Sequence, residues 1–185
     1  MGKIISSIWQ TVDGVIDAAS MDKWFMPFDS ETRGKYINET IHDCEVMLYG
    51  RITYFMLADY WSQQKNNEFG IADKLNSVKK YLVSNTIKKA MWGETIIIDQ
   101  DINYHVQKIK SQIKGNILIQ GSASLVNVLL EYKLIDELRL LVHPYIAGTG
   151  KKLFETDLDL NISLTLADQK IFDNGVLFLK YQVQS

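Results

Sequence analysis

One cysteine, Cys44, and two prolines are all that the 185 residues contain of either type. A lone thiol excludes an internal disulfide and any metal centre built from several thiolates. Histidine is scarce as well: His42, His105 and His143 lie far apart and share no ligand spacing, so no metal site is expected. Charge of one sign is missing too. Twenty basic residues against 22 acidic ones leave a formal charge of −2, which excludes the basic footprint of a nucleic-acid binder. No apolar run reaches the ~18 residues of a membrane span, and the first residues lack the h-region of a secretory signal. The expectation is a cytoplasmic protein that partners a small molecule and a second copy of itself. At this length a chain buries roughly 70% of its unfolded surface, so one domain over residues 1–185 can be held by its core alone.

What is present is alternation. Short apolar runs at 3–10, 45–49, 80–84, 95–98, 116–120, 135–143, 162–170 and 175–183 read as about eight strands. Ile102, Val106, Ile109 and Ile113 recur at helical spacing behind Asp101, which is placed to cap them, and Leu125, Val128, Leu129 and Tyr132 do so behind Ser122. Shorter helices are expected over 53–60 and 71–78, and one from Ser30 to about residue 41. Strand and helix in turn predict an α/β fold with a mostly parallel sheet. Asp173-Asn174-Gly175 between the last two runs is a hairpin signal, so an antiparallel C-terminal pair is expected to close that sheet. The stretch from Asp13 to Asp29 and the run from Ser62 to Gly70 read as loops, and Gly148-Thr149-Gly150-Lys151-Lys152 as a flexible one.

Two strand-to-helix turns share a design. Tyr49 runs into Gly50-Arg51-Ile52-Thr53, and Gln120 into Gly121-Ser122-Ala123-Ser124-Leu125. Glycine lets a phosphate approach the backbone, and the helix start behind it offers free N–H groups and partial positive charge. Arg51 adds a fork of donors and Thr53 a hydroxyl. Neither turn matches the G-x-G-x-x-G dinucleotide fingerprint, so a standard Rossmann domain is disfavoured. For each glycine the plainer reading is a tight turn, and for Arg51 a solvated charge.

In order along nearly the whole chain, five pieces resemble the dihydrofolate reductase-like superfamily, in the branch of the bacterial riboflavin-biosynthesis reductase domain. They are Thr11-Val12-Asp13-Gly14; Tyr49-Gly50-Arg51-Ile52-Thr53-Tyr54; Leu82-Val83-Ser84; Gln120-Gly121-Ser122-Ala123-Ser124-Leu125; and Leu134-Ile135-Asp136-Glu137-Leu138 followed by Pro144, Gly148, Gly150 and Leu153-Phe154. The resemblance implies an NADPH-dependent reductase that passes hydride to a flat conjugated small molecule. It implies that Gly50, Arg51 and Thr53 hold phosphates, that Gly121, Ser122, Ala123, Ser124 and Leu125 cradle the pyrophosphate, that Ser84 and Asn85 lie near the 2′-phosphate, and that Thr11 to Gly14 border the nicotinamide. Asp13, Asp29 and Glu31 are the candidate acids; as plainer readings, Asp13 is a turn residue and the other two sit at a helix start that favours acids. Gln120 and Leu57-Ala58-Asp59-Tyr60 depart from the riboflavin reductases and argue against their pyrimidine substrate. The spacing of Asp29 and Glu31 argues against folate. Apolar late strands carrying Leu138, Leu140, Val142, Leu177, Leu179 and Tyr181 predict a homodimer. The rival reading is a non-catalytic nucleotide-binding or regulatory protein of the same fold.

Overall fold

Strand β1 (Lys3–Thr11) is apolar toward both of its faces, as a central strand covered on each side must be. The computed structural model, which describes residues 1–154 and 160–184, places it in the middle of one eight-stranded sheet. The other strands are β2 (Cys44–Gly50), β3 (Lys79–Val83), β4 (Thr95–Ile98), β5 (Asn116–Gln120), β6 (Glu137–His143), β7 (Leu164–Ile171) and β8 (Leu177–Val183), in the order β4-β3-β2-β5-β1-β6-β8-β7. Strands β1 to β6 pair in parallel, whereas β8 runs antiparallel to β6 and β7.

Period-two alternation sorts the core into two layers. Ile4, Ile8, Val46, Leu48, Ile117 and Ile119 face one way and meet α5 (Ile102–Gln112) and α6 (Ala123–Glu131) through Val106, Ile109, Val126 and Leu129. Ile5, Met47, Tyr49 and Leu118 face the other way, toward Ile41 of α2 (Glu31–His42), Tyr54 of α3 (Arg51–Trp61) and Leu75 of α4 (Ala72–Ser77). Cys44 lies buried at the start of β2, and burial pushes its thiol up to about 11.

Several local expectations meet a different outcome. Asp101 stands at the cap position of α5 in left-handed backbone, φ 44°, and its side chain makes no capping bond. Ser122 stands likewise before α6, φ 60°, with its hydroxyl used elsewhere. Ser30 does cap α2, accepting from the Arg33 N–H. The irregular stretch after β1 holds short turns of helix, among them α1 (Met21–Trp24). The late-strand face is only in part open: Leu138 is buried in the core, while Leu164, Leu166, Ile171 and Leu177 on β7 and β8 are exposed.

Candidate functional site

In an open parallel sheet the backbone reverses at the carboxyl ends of the strands, and the crevice there gathers helix N-termini. A cleft of about 530 Å³ lies at that edge, reached by Trp9 of β1, Gly50 at the end of β2, Val83 of β3 and Gln120 of β5. The starts of α3 and α6 close it, so two sets of unpaired N–H groups face one space.

The two glycine turns are interlocked, which their separate positions in the sequence do not disclose. Because β2 and β5 are neighbours, the Gly50 N–H donates to the Ser122 Oγ at 3.0 Å; the Gly121 N–H donates at 3.2 Å to the Ser7 carbonyl of β1, the other neighbour of β5. Gly121 has φ +66°, and a Cβ there would touch the Thr53 side chain at 3.5 Å. One at Gly50 would meet Ser122 Oγ at 3.4 Å. The positive φ requires glycine at Gly121, and at both turns the missing side chain leaves backbone bare toward the cleft. Gly50, Arg51, Thr53, Gly121, Ser122, Ala123, Ser124 and Leu125 all line the cleft.

The other residues expected at the site are placed elsewhere. Ser84 and Asn85 lie just past Val83 and outside the lining; the Ser84 Oγ accepts from the N–H groups of Thr86 and Ile87, so it holds its own turn. Thr11, Asp13 and Gly14 form an anchor for the loop after β6. The Thr11 hydroxyl donates to Asp13 at 2.6 Å, and the Asp13 carboxylate accepts from the N–H groups of Ala147 and Gly148. Those donors, Thr11 foremost, hold its pKa down at about 2. Asp29, with its side chain 79% exposed, pairs with buried Arg33 at 2.8 Å, and Glu31 is exposed at the start of α2. None of the three acids reaches the cleft.

Lys151, Asp17 and Trp9 do reach it, and sequence reasoning passed over them. The Gly148–Lys152 loop is pinned rather than free: Ile16 donates to the Lys151 carbonyl at 2.8 Å, Leu153 to that of Gly14, and Val15 bridges to Lys152. Gly150 permits this at φ +127°, where a Cβ would lie 2.7 Å from Val15. The two glycines before the lysines were the available signal. Lys151 Nζ points to Ser124 Oγ at 3.5 Å, which adds a second cation to Arg51.

Behind the aromatic wall is a buried polar knot. Trp9 stacks on Phe25 with centroids 4.5 Å apart, and Trp24 packs edge-on to both Phe25 and His143. Arg33, 2% exposed, donates to the Phe25 carbonyl at 2.9 Å and to His143 Nε2 at 3.2 Å. His143 Nδ1 donates to the Gln10 carbonyl, so the ring is neutral and carries its proton on Nδ1. Burial, aided by the nearby guanidinium, holds its pKa down at about 4.

Residues 2–178 match the model of the RibD C-terminal domain. The chain belongs to that family. It is 27% identical over 181 residues to the protein YyaP of Bacillus subtilis (strain 168), covering 97% of this chain and 94% of that one. Its fold is similar to that of a putative riboflavin biosynthesis protein from Shewanella sp. PV-4, with TM-score 0.75 and 18% identity over 99% of both chains. It is also similar to dihydrofolate reductase from Enterococcus faecalis in complex with NADP(H), with TM-score 0.65 and 13% identity over 100% of this chain and 98% of that one. The fold is therefore a reductase-type, dihydrofolate reductase-like one. No helix of the described residues is long and apolar enough to cross a membrane, and no three His, Cys, Asp or Glu side chains among them gather as metal ligands.

Proposed function

We propose that this RibD C-terminal domain protein is an NADPH-dependent reductase acting on a flat conjugated small molecule. The observation that carries the reading is the pair of interlocked glycine turns, which aim two helix N-termini at one cleft walled by Trp9 and Trp24. Gly50, Thr53 and the backbone from Gly121 to Leu125 would hold the pyrophosphate, and Arg51 and Lys151 would supply the cations. A reduced nicotinamide supplies the hydride. The protein's part is to hold donor and acceptor face to face in a cleft that limits water, so proximity provides much of the acceleration. Among the described residues, Asp17 is the one carboxylate on the lining, and it accepts from the Ala19 N–H. The acceptor's proton then comes from water at the mouth beside it.

Preference for NADPH over NADH is part of the proposal, supported by Arg51, which is exposed on the cleft wall. So are a single domain spanning 1–185, a cytoplasmic location in keeping with the unpaired buried thiol of Cys44, and a homodimer formed through β7 and β8. Thermal shifts with NADPH, NADH and ATP at matched concentration test the reading, since a ligand bound only by the native state raises Tm. NADPH is expected to give the largest shift and to lose its nicotinamide absorbance when a conjugated acceptor is added. No shift from either dinucleotide would refute it. A shift without oxidation across the acceptor panel would select the rival, a nucleotide-binding protein without turnover, which the distance of Asp13, Asp29 and Glu31 from the cleft favours.

A further inference from the structure

Asn174-Gly175 is the only Asn-Gly step in the sequence. Glycine has no side chain to shield its nitrogen, so the Gly175 nitrogen can attack the carboxamide carbon of Asn174. Ammonia leaves, a five-membered succinimide forms, and water opens it to aspartate or isoaspartate. Water is the one co-reactant. The reaction needs a carboxamide free to turn onto the next nitrogen, and here the fold holds both groups.

The Asn174 Nδ2 donates to the Phe28 carbonyl, and its Oδ1 accepts from the Val176 N–H at 3.1 Å. A carbonyl only accepts and an N–H only donates, so these partners fix which end of the amide is nitrogen. The Gly175 N–H is itself spent on the Phe172 carbonyl at 2.9 Å. Beside them the Thr32 hydroxyl donates to Asp173, and this bond, with one from Ser30, holds the Asp173 carboxyl below the usual carboxylate range. The turn between β7 and β8 therefore clasps residues 28–32, the stretch that joins Trp24 and Phe25 to α2. Within that stretch the Phe28 ring lies edge-on to His143, with centroids 6.2 Å apart.

A carboxylate at position 174 could still accept from the Val176 N–H, but it has no donor for Phe28. It would set a negative charge against that carbonyl oxygen and next to Asp173. We infer that Asn174 is a fold-protected deamidation site: the native clasp blocks the reaction, opening of the turn permits it, and the acidic product frees the turn from the segment behind the cleft wall. The inference concerns this chain alone and needs neither cofactor nor turnover.

The test follows the tryptic peptide Ile171–Lys180 by mass spectrometry after incubation of the whole protein at mildly alkaline pH, native or unfolded in guanidinium chloride. The native protein is expected to convert amide to acid at least about tenfold more slowly, because the reaction waits on local opening. Asn174→Asp and Asn174→Ala should both lower Tm and speed amide hydrogen exchange over residues 24–33 while leaving β2 and β5 unchanged, with the larger effect in N174D. N174A removes the clasp without adding charge, and it carries the test if N174D does not fold. Equal conversion by native and unfolded chains would overturn the protection. Folded variants with the Tm and exchange of the wild type would overturn the clasp, and faster exchange in N174A but not in N174D would overturn the release by the product.

Discussion

Arg51→Ala is the sharpest probe of the cofactor reading. Arg51 is the first residue of α3, directly after Gly50, and it is exposed on the cleft wall with no ion pair or side-chain hydrogen bond among the described residues. A guanidinium gains little from the start of a helix, which is already partly positive. Truncation should therefore change stability by about 0.5 kcal/mol or less, as for other surface positions. A charge-assisted contact to phosphate is worth about 1.5–3 kcal/mol, which is roughly a ten- to hundredfold loss in affinity. If Arg51 meets the 2′-phosphate, that loss falls on NADPH and leaves NADH nearly unchanged. Titrating both cofactors by quenching of intrinsic fluorescence, with melting curves alongside, reads all three quantities. Early unfolding of the variant would make Arg51 structural. Equal weakening of both cofactors would make it a general pyrophosphate ligand, and unchanged NADPH binding would remove it from the site.

His143 predicts a pH dependence with a definite sign. Its folded value of about 4 lies below the ordinary 6.5, so the unfolded chain binds the proton more readily; the contribution is complete above pH 6.5 and is lost as pH falls toward 4. The loss amounts to about 3 kcal/mol at 1.36 kcal/mol per unit, and urea unfolding of wild type and His143→Asn should differ in slope across that window. Gly150→Ala combines φ +127° with a 2.7 Å approach to Val15, whereas Gly148→Ala at φ +74° meets nothing within 4 Å. The first should cost more stability than the second, on the order of 1–3 kcal/mol against about 1, as chemical denaturation would show; equal costs would mean that the loop is not held against Val15. Sedimentation should give twice the 21.2 kDa chain mass at micromolar concentration, and Leu166→Lys with Ile171→Lys should halve it; a wild-type mass of one chain would refute the dimer.

Periodicity by itself determined most of the fold. Ile4, Ile5, Met47, Leu48, Ile117 and Leu118 have no freedom in a sheet covered on both sides, so their runs mark strands whatever the partner order. The hairpin at Asp173-Asn174-Gly175 was legible because a Gly at φ +83° is a local demand of the turn. The glycine turns were legible one at a time, because each is local. Their interlocking was not, since it depends on β5 lying beside β2, a pairing between residues some seventy positions apart. Where the acids lie was likewise decided in three dimensions. Asp13 reads alike as a turn residue or a catalytic one, and only the arrival of the Ala147 and Gly148 N–H groups makes it an anchor. Lys151 reached the cleft for the same reason: the path of its loop is set by hydrogen bonds to residues after β1, and no pattern in Gly148–Lys152 encodes those partners. Spacing along a chain specifies which face a residue takes within its own element, whereas a site assembled from separate segments is fixed by how those elements pack.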